Sequence, residues 1–210
     1  MKILFQGDSI TDTLRCRENG YDLGRGYVLH TAAELGYENP GKYLFLNRGI
    51  GGNRIVDLYA RIKCDIINLK PDVMSILIGV NDVWHDFIES PNGVDSDKFF
   101  KIYCMLIEEV KKELPDIKIM ILEPYVLKAG EEIQQYWEEI DKGVKKRAQM
   151  AKKVAEKYNL PFVPLQEGFD KLTKEYGDAS YWAHDGVHPT EFGHIFIKNE
   201  WIKAFKKHFA

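Results

Sequence analysis

Lys2-Ile3-Leu4-Phe5-Gln6, followed at once by Gly7-Asp8-Ser9-Ile10-Thr11-Asp12, is the stretch whose reading decides the fold. The first five residues form a short, largely apolar run of the kind a buried strand needs. A glycine and a cluster of acidic and hydroxyl residues then break it, which is how a strand hands over to a helix in an α/β unit. Such a turn leaves Ser9 at the carboxyl end of a central strand, where open α/β sheets hold their ligands. It also leaves backbone N–H groups free at the start of the next helix, ready to face an anion. Taken alone, Asp8, Ser9 and Thr11 are equally good helix-capping residues. The rest of the chain decides between the two readings.

A chain of 210 residues can bury a core on both faces of a sheet. Its 45% apolar and 29% charged residues are ordinary globular values and argue against disorder. The net charge of −3 gives no electrostatic case for nucleic acid or an anionic membrane as partner. Lys145-Lys146-Arg147 and Lys152-Lys153 stand near glutamates on a helical stretch, the pattern of a solvated face. Cys16, Cys64 and Cys104 are odd in number, far apart and without a CxxC. They read as reduced core thiols of a cytosolic protein, not as a disulfide frame or zinc site. No apolar run approaches membrane-spanning length. The sequence starts directly on the first strand, so no signal peptide is expected in it and the expected localisation is cytoplasmic.

Beyond the opening turn, residues 13–27 read as a Gly- and Arg-rich loop and residues 26–35 as a helix. Gly36 and Asn39-Pro40-Gly41 are expected to stop that helix. Tyr43-Leu44-Phe45-Leu46-Asn47 is a second strand, leading into the turn Arg48-Gly49-Ile50-Gly51-Gly52-Asn53. Ile55, Leu58, Ile62, Ile66 and Leu69 then recur at helical spacing, which predicts one helix over residues 54–69, ended by Lys70-Pro71. Residues 72–78 are the most β-like run. Phe99, Tyr103, Leu106, Val110 and Leu114 mark another helix. Residues 117–122 form a fourth strand, 135–158 a long helix, Phe162-Val163-Pro164-Leu165 a fifth strand, and Pro189 opens the last helix. No repeat, low-complexity tract or linker interrupts the chain, so one domain over residues 1–210 is expected. Strands rich in Ile, Val and Leu and separated by helices imply a parallel sheet covered on both faces. Right-handed crossovers make this a three-layer α/β/α sandwich. Its strand-to-helix turns share one edge, so Ser9, Gly52 and Asn81 should converge there.

Three further segments bear on that edge. Asn47-Arg48-Gly49-Ile50-Gly51-Gly52-Asn53 lacks the G-x-G-x-x-G spacing of a dinucleotide fingerprint. It is either a tight turn needing positive φ or a side-chain-free stretch letting a backbone N–H approach a reacting atom. Gly79-Val80-Asn81-Asp82 by itself reads as a helix cap. Asp185-Gly186-Val187-His188-Pro189 sets a carboxylate three residues from an imidazole, where it can fix the tautomer and stabilise the protonated ring. Pro189 keeps His188 out of helical dihedrals, so the pair belongs to a loop. His30, His85, His184, His194 and His208 read as surface or packing residues, with His85 and His184 near the proposed site.

Together these segments resemble the GDSL-type esterases, also called SGNH hydrolases. That family is marked by Gly-Asp-Ser in its first block, a glycine in its second, Gly-x-Asn-Asp in its third and Asp-x-x-His in its last. All four occur here in that order, from Gly7 to His188. The resemblance implies a flavodoxin-like, five-stranded parallel sheet of order 2-1-3-4-5. It implies Ser9 as nucleophile with the Asp185–His188 pair as its base. It also implies an oxyanion hole from the Ser9 and Gly52 backbone N–H groups and the Asn81 amide. The chemistry agrees, because a serine hydroxyl is a poor nucleophile until a base takes its proton. No metal and no cofactor enter such a mechanism.

Arg15-Cys16-Arg17, Gly24-Arg25-Gly26-Tyr27-Val28, Asp57-Leu58 with Arg61, and Ile78 through Trp84 look like the bacterial intracellular acetylxylan esterases of this superfamily. Those relatives deacetylate xylo-oligosaccharides and commonly form homo-oligomers, so an acetylated sugar is the implied substrate and a second copy the implied partner. Trp84 and Trp182, three residues from Asn81 and Asp185, are candidates to stack on a sugar ring. A less regular insert at residues 125–137 bears on which sugars fit. Rival readings are an acylhydrolase for lysophospholipids or thioesters and a metal-dependent phosphoesterase built on Asp8, Asp12, Asp82 and His188. A third is a non-catalytic carbohydrate-binding module, which would have lost a catalytic residue.

Overall fold

The computed structural model describes residues 1–209. Five strands, β1 (Lys2–Gly7), β2 (Leu44–Asn47), β3 (Val73–Leu77), β4 (Lys118–Leu122) and β5 (Phe162–Val163), form one sheet in the order β2-β1-β3-β4-β5. Every neighbouring pair is parallel. This is the expected three-layer sandwich with sheet order 2-1-3-4-5. The helices are α1 (Ser9–Asp12), α2 (Tyr27–Glu38), α3 (Ile55–Ala60), α4 (Ile62–Asp65), α5 (Asn81–Trp84), α6 (Ser96–Glu113), α7 (Glu131–Gln135), α8 (Trp137–Lys157), α9 (Gln166–Tyr176) and α10 (Glu191–His208). Among the described residues no helix is long and apolar enough to cross a membrane.

The two-residue alternation of a strand divides the core. Ile3 and Phe5 join Leu77, Leu122, Trp201 and Phe205 on one face, while Leu4, Met74, Ile76 and Ile121 join Ile55 and Leu106 on the other. Both faces of the central strands are therefore dry, which is why their sequences are continuous apolar runs instead of alternating ones. Register fixes the site. Phe5 pairs with Asn47 across β1 and β2, and Gly7 pairs with Leu77 across β1 and β3. The ends of three strands thus meet at one edge, and each is followed by a turn that carries a candidate residue.

Several element boundaries differ from the sequence reading, each for a local reason. The apolar stripe of residues 54–69 is real, since Ile55, Leu58, Ile62 and Ile66 are buried, but the backbone breaks into α3, α4 and a 3₁₀ turn at Ile67–Leu69. The break falls at Arg61. Its guanidinium turns toward the sheet edge and donates to Asn53 Oδ1 at 2.8 Å, Arg48 O at 2.8 Å and Asp65 Oδ2 at 2.9 Å. Gly36 does not stop α2, which runs on to Glu38. Residues 131–135 form a helix separate from α8. No signal announced α9 because Phe169 is its one buried residue. Of the cysteines only Cys104 is in the core. Cys16 and Cys64 are exposed, and all three are free.

Backbone approaches backbone closely at Gly49. A Cβ there would come within 2.7 Å of Thr11 C and 2.8 Å of Thr11 Cβ, and it would also strike the Asp12 amide nitrogen. Gly49→Ala is therefore expected to destabilise the protein by about 1–3 kcal/mol, the range for overpacking a tight site. Gly36→Ala is expected to do the opposite, by about 0.5–1 kcal/mol, because it sits inside a helix with Phe45 Cε2 no closer than 4.0 Å. Urea midpoints moving in opposite directions at constant slope will test the pair.

Candidate active site

The opening turn is built by its own side chains. Asp8 caps α1, its carboxylate accepting the Ile10 N–H at 3.0 Å and its carbonyl the Asp12 N–H at 2.8 Å. Ser9 is thereby held as the first residue of that helix. Burial pushes the Asp8 carboxyl up to about 7, against the opposing pull of the Ile10 N–H and of His188. Asp8 thus caps the helix and braces the turn.

The glycine turn after β2 is tied to this first turn. Asn47, fully buried, donates from Nδ2 to Thr11 O at 2.7 Å and Leu23 O at 2.9 Å, and accepts the Gly49 N–H at 2.9 Å. Arg15 Nε donates to Gly49 O at 3.0 Å. Asp12 Oδ2 accepts both the Gly51 N–H at 3.0 Å and Arg17 Nη2 at 2.6 Å. Gly52 follows at φ +79°, a left-handed conformation that favours glycine. Its N–H has no acceptor among the described residues. After β3, Asn81 opens α5 and spends one amide N–H on Asn53 O at 3.1 Å, leaving the other free to face the cavity. Asp82 is behind it, both oxygens accepting the Ile55 N–H at 3.1 and 3.2 Å. Burial raises the Asp82 carboxyl to about 8, opposed by the Ile55 N–H and the Arg147 charge.

The last loop completes the site. Asp185 Oδ1 accepts the Val187 N–H at 2.9 Å and the His188 N–H at 2.7 Å. Its other oxygen accepts His188 Nδ1–H at 2.6 Å, which leaves Nε2 as the acceptor for the Ser9 hydroxyl at 2.8 Å. Burial pushes Asp185 upward, but the bonds from the His188 side chain and from the His188 and Val187 N–H groups outweigh it. The net position is below the usual carboxylate range. The hydrogen bond to Asp185 raises His188 above its ordinary value, burial opposing and the charges of Asp185 and Asp8 adding to the rise.

Ser9 and His188 stand where two cavities meet. The larger, about 620 Å³, is bounded by Asp12, Leu14, Arg17, His184 and His194. The other, about 520 Å³, is bounded by Gly52, Asn81, Trp84, Glu131 and Ile133, so the irregular stretch before α8 forms one of its walls. Trp84 is therefore at the site. Trp182 is not, contrary to the sequence reading. It lines neither cavity, its ring packs edge-on against Tyr181 at 4.9 Å and Tyr176 at 6.3 Å, and its Nε1 is sealed without a partner. Its carbonyl accepts the Thr190 N–H at 3.0 Å, tying that backbone to the start of α10, and the residue packs partly buried against the core. The carboxylates of the phosphoesterase reading do not assemble. Among the described residues no three His, Cys, Asp or Glu side chains are placed to share an ion. His184 and His194, read from sequence as surface or packing residues, both border the larger cavity. Nothing in the helical pattern of residues 191–208 distinguishes His194 from a core position.

The sequence pattern of the GDSL-like lipase/acylhydrolase family matches residues 5–195, a span that contains every segment meeting at Ser9. The chain belongs to that family. An acetylxylan esterase from Geobacillus stearothermophilus is 32% identical to this GDSL-family chain over 211 residues, covering 96% of it and 92% of the relative. A crystal structure of that organism's acetylxylan esterase superposes with a TM-score of 0.85 at 31% identity, over 97% of this chain and 93% of the other. A GDSL-like lipase-family structure from Parabacteroides merdae gives 0.89 at 36% identity over 98% and 95%. The GDSL-family chain is a carboxylic-ester hydrolase.

The two imidazoles at the site should titrate far apart. In NMR titrations His188 is expected to take up its proton above pH 6.5, and Asp185→Asn to move that titration down. His194 is expected to stay neutral to about pH 4, because burial and the positive neighbours His30 and His188 disfavour its charged form. Coincident titrations of the two rings would contradict this arrangement of partners.

Proposed function

We propose that Ser9, His188 and Asp185 act as a catalytic triad that removes acetyl groups from acetylated carbohydrates, short xylo-oligosaccharides being the substrate class, within a single domain over residues 1–210. The observation that carries this reading is the unbroken line of hydrogen bonds from Ser9 Oγ to His188 at 2.8 Å and from His188 to Asp185 at 2.6 Å. His188 accepts the Ser9 proton as Oγ attacks the ester carbonyl, then returns it to the departing sugar oxygen. Water, deprotonated by the same ring, releases acetate from the acyl-enzyme. Asp185 holds the tautomer and stabilises the imidazolium, the task its hydrogen bonds and low pKa suit it for. The oxyanion is received by the Ser9 and Gly52 N–H groups and the Asn81 amide, which share one wall of the site. The sugar assignment draws on the acetylxylan esterase relative and on Trp84, whose indole gives a large contact face at small entropy cost.

Ser9→Ala and His188→Ala are each expected to abolish hydrolysis, and the double variant to be hardly worse than either, since the pair works as a unit. Asn81→Ala is expected to lower kcat by about 10²–10³-fold, as removal of one oxyanion donor does. A fall confined to KM would make Asn81 a substrate contact instead.

For pH, His188 must be neutral to accept a proton. Because its pKa is raised, kcat/KM will climb with pH through a value above 6.5. The deciding experiment compares initial rates on acetylated xylo-oligosaccharides with those on 4-nitrophenyl esters from acetate to octanoate. The acetylated sugars are expected to turn over faster than the long-chain esters; octanoate ahead of them would move the protein to the lipid acylhydrolases.

A further inference from the structure

The larger cavity holds a second imidazole that the triad does not use. His194 lies in the first turn of α10 with 5% of its surface exposed, its ring stacked at 6.4 Å on that of Tyr27. Its Nδ1 accepts the Tyr27 N–H at 3.2 Å. A ring nitrogen that accepts carries no proton, so the neutral ring bears its hydrogen on Nε2. That Nε2 has no partner among the described residues and is not among the sealed polar atoms, while the ring borders the cavity shared with Ser9 and His188. Gly26 makes room for this arrangement. A Cβ there would stand 2.6 Å from His194 Cε1 and 2.9 Å from Nδ1.

An N–H at a cavity wall that no protein group accepts is available to a ligand oxygen, and once a bound substrate shuts water out, leaving it unpaired would cost about 1–3 kcal/mol. Arg17, half exposed and tied to Asp12, borders the same space. The rest of the lining includes Ile10, Leu14 and Pro189 and is largely apolar, so His194 and Arg17 are isolated polar groups on a wall that also fits the carbon face of a sugar ring. An acetyl methyl is far too small to fill either cavity, so an oligomeric alcohol portion can reach along both, against Trp84 in one and toward His194 in the other.

We propose that His194 Nε2–H is a substrate contact that donates to a hydroxyl or ring oxygen of the alcohol portion and so selects polyhydroxylated alcohols. The assignment rests on the acetylated-carbohydrate reading above and adds to it a named specificity-determining residue. Since the ring stays neutral down to about pH 4, the donor is present throughout the range in which His188 can act as a base.

Two substitutions separate binding from a purely structural role. In H194N the amide oxygen stands in for Nδ1 and keeps the Tyr27 N–H bonded, but nothing replaces Nε2–H. In H194Q the longer amide restores a donor at the Nε2 position and gives up Tyr27. The readout is the ratio of kcat/KM for a monoacetylated methyl xyloside to that for 4-nitrophenyl acetate, with thermal midpoints alongside. H194N is expected to lower that ratio about tenfold, the worth of one well-made hydrogen bond, and H194Q to preserve it. In the unmodified enzyme, the His194 Nε2 resonance is expected to move when unacetylated xylobiose is added, a measurement that needs no variant to fold. A full ratio in H194N, or a still resonance with xylobiose bound, overturns the assignment. A wild type that hydrolyses 4-nitrophenyl octanoate faster than the acetylated xyloside overturns the carbohydrate reading and this assignment with it.

Discussion

The site depends on two turns being pressed backbone to backbone. Gly49 lies against Thr11 and Asp12 so closely that a methyl group cannot be inserted between them. Asn47 and Arg15 then lace the two turns together through carbonyl and amide groups that would otherwise be buried without partners. Ser9 belongs to one turn and Gly52 to the other, so their spacing is set by main chain and not by mobile side chains. Arg61 extends the lacing to the helix after the glycine turn, at the expense of that helix's continuity. A rigid scaffold of this kind is what an oxyanion site requires, because its donors contribute only if they are in position before charge develops.

Three aspartates around Ser9 show how one residue type is given different tasks by its surroundings. Asp8 and Asp82 are buried among backbone amides and apolar side chains, and both are pushed toward the neutral form. Asp185 is only partly buried, and three N–H donors converge on it, so it stays ionised. Separation of carboxyl pKa values by environment identifies which one can support an imidazolium. The same logic separates the histidines. His188 gains a carboxylate and becomes a stronger base, whereas His194 gains only burial and an amide and becomes a fixed donor.

How much of this was legible depended on whether a short-range pattern carried it. The three-layer sandwich followed from strands that are apolar throughout, whereas the sheet order and the grouping of Ser9, Gly52, Asn81, Asp185 and His188 came through the family resemblance that four motifs in sequence order carry. Parallel register does the rest, since Phe5 opposite Asn47 and Gly7 opposite Leu77 leave little freedom in where the turns meet. What escaped was long-range or non-periodic. Arg61 breaks a helix whose apolar spacing is intact, because its partners are carbonyls of turns far away in sequence. Trp182 sits three residues from Asp185, yet proximity in sequence says nothing of which side of a loop a ring takes. His194 has the spacing of a core residue, and only the tertiary structure shows Nδ1 taken by the Tyr27 N–H and the ring at the border of the cavity.

The electrostatics also set folding and chemistry partly against each other. A carboxyl whose folded pKa is raised holds more protons in the native state than in the unfolded one. Asp8, raised to about 7, and Asp82, raised to about 8, therefore make the fold less stable as pH rises from about 4 toward those values. His188 works in the same direction. Its contribution to stability is complete below pH 6.5 and is lost as pH climbs through its raised value. Asp185, lowered, acts the other way, contributing above about pH 4 and losing that contribution only as pH falls through its own low value. In this balance the fold is favoured on the mildly acid side of neutrality. The proposed chemistry needs His188 neutral and so is favoured on the other side. The base is strong because Asp185 raises it, and the same raising moves its working range into the region where Asp8 and Asp82 begin to ionise. Stability given up at a functional site in this way is a common compromise in enzymes. Here it traces to three carboxylates and one imidazole gathered at the end of β1, β3 and the Asp185–His188 loop.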